Sequence, residues 1–376
     1  MNARNRHLIA KAAGANELLT PALVIDLDKL ERNIANMAAW AKNHRIGLRP
    51  HAKTHKSPDI AKRQIAAGAN GICCATVKEL EVLGKAGIPG LLLTTGVAPN
   101  KATWIAAINK DAEDLSVVVD HPDYLDALSG AAEASGKVLQ IKVDIDPSLG
   151  RTGVTDTAMA VQLAQTAAAH PWLEYDGVQA YMGHLQHIAI ADERRQKIER
   201  DMAGVDRIIA ALQAANLNPA IVTGAGTGTH RIDQAMGRYT ELQVGSYVFM
   251  DVDYNAIDIS LAGDSGYETS LFVQTTAVNV NHPTYAVTDA GLKSFATDGP
   301  MPKLSPDCGI NGDYRFMGDE HGRLTYSDGQ VAMKIGDLAR CVVSHCDPTV
   351  NLYDYYHVIQ GDTLVDIWPV AARGNN

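Results

Sequence analysis

An α/β TIM barrel followed by an antiparallel β domain is the fold this sequence predicts, and three observations predict it. From residue 22 to about residue 249, short β-branched apolar runs alternate with longer Ala-rich segments whose apolar residues recur every three or four positions. Runs that are apolar throughout, separated by helices, belong to a parallel sheet covered on both faces. After about residue 260 the pattern changes to alternating β stretches broken by turns.

The runs are "ALVIDL" (22–27), "IGLRP" (46–50), "GICCA" (71–75), "GLLLTT" (90–95), "LSVVVD" (115–120), "VLQIKVDI" (138–145), "YDGVQAY" (175–181), "PAIVTG" (219–224) and "LQVGSYVF" (242–249). "DKLERNIANMAAWAKNH" and "ADERRQKIERDMAGVDRIIAALQAANL" are examples of the helices between them. About eight such units in roughly 210 residues fit a barrel. A doubly wound open sheet is the competing architecture, but no Gly-x-Gly-x-x-Gly follows a first strand. In the second region "TYAVTDAG", "GRLTYSDGQVAMKIGD", "LARCVV" and "YYHVIQGDTLVDIWPV" read as strands, with "SDGQ" and "QGDT" as hairpin turns.

Composition narrows the function. The 376 residues are 46% hydrophobic and 20% charged, with a formal net charge of -10. That charge argues against nucleic acid or an anionic membrane as partner, and no apolar run reaches the roughly 18 residues of a membrane span. The first residues lack the apolar core of a secretory signal. Five cysteines, two of them adjacent in an apolar run, read as reduced thiols of a cytoplasmic protein.

In a barrel, function gathers at the C-terminal strand ends, and polar residues crowd there. "RPHAKTHK" packs Arg49, His51, Lys53, His55 and Lys56 into eight residues. A Schiff-base lysine needs a neutral amine, which neighbouring cations and partial burial favour; a surface ion pair is the plain alternative for Lys53. Strand parity places Lys53, His51 and Arg49 on one side. "TGAGTGT" (223–229) follows the seventh barrel strand if 46–50 is the first, where small residues let backbone N–H groups cradle a phosphate; a flexible glycine turn would read the same way. In "VVSHCDPTVNLYD", His345 and Asp347 share a face if the segment is extended, and form a site for a hard divalent ion such as Mn²⁺ or Mg²⁺. Cys346 then points away, and a surface His–Asp pair is the alternative. Asp144 and Asp146 read as ion-pair partners of Lys142 or Arg151.

"LRPHAKTHK", "GICC", "GRTGV", "QAYMGHLQH", "GAGTG", "YTELQVGSYVFMD", "DAGLKS", "DEHG" and "SHCDPTVNLYD" occur together and in this order. In combination, over about residues 20–372, they resemble the D-threonine aldolase family of fold-type III pyridoxal-phosphate enzymes. That family includes D-3-hydroxyaspartate aldolases and, more distantly, D-serine dehydratases. The resemblance implies an alanine racemase-like barrel over 28–262 and a β domain over 1–27 and 263–376 that carries the metal site. It implies that Lys53 holds pyridoxal 5'-phosphate, that Arg151 faces its pyridine side, and that Tyr181 frames it. Gly226, Thr227, Gly228, Gly245, Ser246 and Tyr247 would bind the phosphate, and His345 and Asp347 the metal. His187 would be the general base, the active unit a homodimer, and the substrate a β-hydroxy-D-amino acid of the D-threonine type or D-3-hydroxyaspartate.

The implied rivals are a dehydratase, a non-catalytic pyridoxal-phosphate carrier and a metal-independent racemase. Asp347, where the dehydratases carry a softer ligand, favours the aldolase, and the second domain counts against the carrier. "CCAT" (73–76), "LLTTGV" and His184 in "MGHLQH" depart from the family pattern and bear on substrate preference.

Overall fold

The computed structural model describes residues 4–260, 266–329 and 332–374. Its first strand, β1 (Ala22–Asp26), leads into helix α1 (Leu27–Asn43), and then the barrel strands follow. These are β2 (Gly47–Leu48), β3 (Ile72–Cys74), β4 (Leu91–Leu93), β5 (Ser116–Val119), β6 (Leu139–Ile145), β7 (Leu173–Ala180), β8 (Ile221–Gly224) and β9 (Glu241–Leu242). They form one parallel sheet in the order β2-β9-β8-β7-β6-β5-β4-β3. Its ends meet at a parallel bridge between His51 and Cys73, where Cys73 donates its N–H to the Pro50 carbonyl (2.8 Å). The sheet therefore curls into a barrel.

Helices α2 (Pro58–Ala66), α3 (Val77–Lys85), α4 (Ala102–Asp111), α5 (Pro122–Ser135), α6 (Thr157–Ala169), α7 (Ala191–Ala214) and α8 (His230–Met236) cover it. Their starts are legible in the chain. The Asp26, Ser57, Thr76 and Asp156 side chains accept backbone N–H groups at the starts of α1, α2, α3 and α6, satisfying donors that a helix leaves open.

A second sheet combines β1 with β10 (Leu271–Asn279), β11 (Tyr285–Thr288), β12 (Lys303–Leu304), β13 (Gly312–Phe316), β14 (Gly322–Tyr326), β15 (Leu338–Val342), β16 (Tyr355–Gln360) and β17 (Thr363–Pro369). All its pairings are antiparallel except β1 with β16. The expected change of domain near residue 262 falls within 261–265, outside the described residues.

The two hairpin turns fare differently. "QGDT" is a two-residue turn, with Gln360 opposite Thr363 and Gly361 at φ +56. "SDGQ" closes no hairpin among the described residues, of which Gln330 is not one. β14 pairs with β11 and β13, whereas the next strand, β15, pairs with β10 and β12. The run 242–249 also stops short of a full strand. After Leu242 the chain bends into a 3-10 turn, Ser246–Val248, because Gly245 must come against the Lys53 turn: a Cβ there would sit 2.7 Å from Thr54 Oγ1.

Among the described residues no helix is long and apolar enough to cross a membrane. All five cysteines are free thiols.

Candidate active site

The barrel interior is polar at its C-terminal half. Deepest lies Arg49, which donates Nε–H and Nη2–H to Glu241 (2.8 and 3.1 Å). Beside it Lys142 pairs with Asp176, so the expected partner of Lys142 is not Asp144. One layer higher, Gln179 donates to Asp144 Oδ1 (2.9 Å) and Gln243 donates to Gln179 Oε1 (3.0 Å). Burial raises Asp144 to about 6. Asp146 makes no ion pair among the described residues; it accepts the amides of Leu149 and Gly150.

Above these layers opens a cavity of about 300 Å³, lined among others by His51, Lys53, Thr94, Arg151, Gln179 and Tyr181. Strand ends β2, β4, β6 and β7 thus deliver one or two polar side chains each. The strand-parity argument holds for Arg49 and His51, which both point inward, but the chain leaves extended geometry at a 3-10 turn, Ala52–Thr54, that places Lys53. His51 Nδ1 accepts the Lys53 amide (3.3 Å), and its Nε2 faces Thr94 Oγ1 (3.1 Å). The Arg151 guanidinium lies 5.6 Å from the Tyr181 ring centre, a cation–π distance.

The expected setting of Lys53 is overturned. Arg49 is paired with Glu241, and Lys56 with Glu79 (2.7 Å). Burial drives His51 well below its ordinary value and His55 to about 4, so both are neutral. Lys53 Nζ lies 2.6 Å from Asp347 Oδ2. Burial opposes the lysine charge, but the Asp347 carboxylate outweighs it and holds the ammonium above the ordinary lysine value. Burial likewise pushes Asp347 up, and Lys53 with His345 outweighs that and depresses it strongly.

His345 and Asp347 do not sit in an extended segment. His345 caps the short helix α9 (Cys346–Val350), and Asp347 stands in its first turn. The thiol of Cys346 is turned away, toward the Met250 carbonyl (3.6 Å). Among the described residues no group of three or more His, Cys, Asp or Glu side chains forms a metal cluster. Two features still fit a metal ligand pair. His345 Nδ1 is engaged by Asp298 Oδ2 (2.8 Å), which orients the ring and leaves Nε2 open. Asp347 Oδ1 is buried and has no hydrogen-bond partner among the described residues. His187 is held the same way, Nδ1 to Asp253 at 2.8 Å, with its ring 4.7 Å from that of Tyr254. It does not line the cavity.

The glycine loop behaves as a backbone cradle. A Cβ at Gly228 would fall inside contact distance of the Gln186 carbonyl oxygen, and one at Gly226 would strike the Gln186 side chain. Gln186 itself accepts the Gly228 amide (3.1 Å) and donates to Thr229 Oγ1 (3.0 Å). Of the six residues expected to hold phosphate, three spend their amides internally: Gly226 on Thr229, Gly228 on Gln186, Tyr247 on Thr227 Oγ1. The amides of Thr227, Gly245 and Ser246 have no acceptor among the described residues. Among the described residues the buried Thr54 hydroxyl next to Gly245 also lacks a partner. Open amides and an orphaned hydroxyl beside a lysine are a donor set that fits a phosphate ester.

Sequence reasoning missed Gln186, Asp298, Asp253 and the Asp144–Gln179–Gln243 layer. Gln179, Gln186 and Gln243 had a signal, their places in "QAYMGHLQH" and "YTELQVGSYVFMD"; Asp253 and Asp298 had none. His184 of "QAYMGHLQH" turns outward to Asp201 (2.9 Å) and leaves the cavity alone.

Residues 25–253 match the alanine racemase N-terminal domain model, and residues 270–359 match the putative serine dehydratase domain model. The chain is 39% identical over 364 residues to 3-hydroxy-D-aspartate aldolase of Paracoccus denitrificans (strain Pd 1222), covering 96% of this chain and 93% of that protein. The crystal structure of D-threonine aldolase from Filomicrobium marinum superposes with a TM-score of 0.90 at 37% identity, covering 96% of each chain. D-threo-3-hydroxyaspartate dehydratase from Delftia sp. HT23 is more distant, with a TM-score of 0.83 at 26% identity over 96% of this chain and 99% of that one; a variant of such a dehydratase has been solved in a form described as metal-free. The chain belongs to the alanine racemase N-terminal domain family, among the D-threonine and 3-hydroxy-D-aspartate aldolases.

Proposed function

We propose that this protein is a carbon–carbon lyase that uses pyridoxal 5'-phosphate and a divalent metal, Mn²⁺ or Mg²⁺, to cleave a β-hydroxy-D-amino acid of the D-threonine type to glycine and an aldehyde. The observation that carries the proposal is the pairing of Lys53 with Asp347 at 2.6 Å. It puts the amine that would hold the cofactor and the carboxylate that would hold the metal side by side at the barrel mouth. The aldolase relatives support the class of reaction.

Lys53, Arg151 and Tyr181 would hold the cofactor in the cavity, with Thr227, Gly245 and Ser246 at its phosphate. Bound there, the pyridine ring supplies an electron sink for the pair released when Cα–Cβ breaks. At His345 and Asp347, a divalent ion supplies Lewis acidity for the substrate hydroxyl.

The chain's own residues do the rest. Lys53 offers its amine only after Asp347 is released, since the ion pair keeps it protonated. His187 lies outside the cavity lining with Nε2 left open by the Nδ1–Asp253 contact, and would take the hydroxyl proton of a substrate that extends from the cavity to it. Arg151 keeps its charge toward the cavity because no described carboxylate pairs with it.

The serine dehydratase match over 270–359 favours one second reading, loss of the hydroxyl rather than of the carbon fragment. Cys346 gives it no soft metal ligand, because that thiol is buried and faces away. By the family resemblance we also propose a homodimer.

Lys53→Ala tests the assignment: reconstituted wild-type protein should show the visible absorbance of a lysine-bound cofactor and the variant should not. An unchanged spectrum in the variant would remove Lys53 from this role.

A further inference from the structure

The loop between β6 and α6 carries Leu149 and Arg151, its two side chains that line the cavity. It is tightly wound, with Ser148, Gly150 and Gly153 at φ 71, 71 and 102. Ser148 is a non-glycine in that region, at a cost of about 1 kcal/mol, so other contacts must hold the loop's shape. Three carboxylates do so. Asp146 takes the Leu149 and Gly150 amides (2.7 and 3.1 Å), and Asp120, at the end of β5, takes the Gly153 amide (2.9 Å). Asp144 takes the Thr152 hydroxyl (2.9 Å).

The bond from Thr152 is the outer end of a longer chain. Asp144 is buried, and its second oxygen accepts Gln179 Nε2 (2.9 Å). Gln179 accepts from Gln243 (3.0 Å), and Gln243 also donates to Thr223 (3.2 Å). The chain crosses the barrel mouth and ends one residue from Arg151. Each Asp144 oxygen thus accepts a neutral donor, one from the loop and one from β7. Among the described residues Arg151 has no salt bridge; it rests over Tyr181.

We propose that Thr152 and Asp144 are positioning residues that keep Arg151 directed at the bound cofactor: the Thr152 hydroxyl ties the loop to the buried Asp144 carboxylate one residue from Arg151. The proposal rests on the pyridoxal-phosphate reading of the cavity. Without the Thr152 hydroxyl the loop loses its charge-assisted tie to Asp144, and Arg151 loses its fixed place in the cavity.

The test compares wild type, Thr152→Val, Thr152→Ser, Arg151→Met and the double variant Arg151→Met/Thr152→Val. Each is titrated with pyridoxal phosphate while its visible spectrum is recorded. Thr152→Val should bind the cofactor about tenfold more weakly, the loss of one charged hydrogen bond, with a displaced absorption maximum. Thr152→Ser should match wild type. In the Arg151→Met background, Thr152→Val should add nothing, since both act through one contact. Thr152→Ala, which only removes atoms from a half-buried site, serves if the valine variant does not fold. Wild-type affinity and spectrum in the valine or alanine variant would overturn the proposal, as would an equal loss with and without Arg151. Failure of wild type to bind pyridoxal phosphate at all would overturn the functional reading and this inference with it.

Discussion

Asp233 offers a stability test with a sign and a size. It lies in the first turn of α8, directly after the glycine loop, and is 1% exposed. Neither carboxylate oxygen has a hydrogen-bond partner among the described residues. Burial raises it from 3.8 to about 7. A carboxyl raised on folding stabilises the native state fully below its unfolded pKa, and that contribution is lost as pH climbs to the folded value. The whole window, about three pKa units, amounts to about 4 kcal/mol. Between pH 5 and pH 8 the loss is about 3 kcal/mol, since part of it has already occurred by pH 5. Asp233→Asn does not titrate, so every other group cancels in the comparison with wild type. Urea titrations of both proteins at the two pH values should show the variant gaining about 3 kcal/mol on wild type between pH 5 and pH 8. A difference that does not change with pH would refute the reasoning.

Two further substitutions address the cradle and the metal pair. Gly228→Ala should weaken pyridoxal phosphate binding at least about tenfold in a spectral titration, because the Gln186 backbone oxygen leaves no room for a methyl group; Gly226→Ala should do less, since it meets only the Gln186 side chain. Asp298→Asn should lower Mn²⁺ affinity about 10- to 100-fold by calorimetry, through loss of the carboxylate that orients His345, with pyridoxal phosphate affinity unchanged.

The barrel was legible because its strands are buried on both faces and read as unbroken apolar runs. Where tertiary contact decided the outcome, local pattern misled. The segment 242–249 has strand composition, yet close packing of Gly245 on Thr54 bends it. At the site, Lys53 could be picked out by its place after a barrel strand, but not its charge state. That depends on Asp347, 294 positions away, and on Glu241 and Glu79 neutralising the cations expected to act on it. Asp144 and Lys142 look like partners along one strand. They belong to different layers of the barrel, and each is claimed by a neighbouring strand instead.

The most direct test of the central claim is a product assay on the purified protein with pyridoxal phosphate and D-threonine, run with Mn²⁺ and then with EDTA. Glycine and acetaldehyde formed with the metal and lost with the chelator are the predicted result. Ammonia and 2-oxobutanoate in their place, or cleavage undiminished in saturating EDTA, would contradict it.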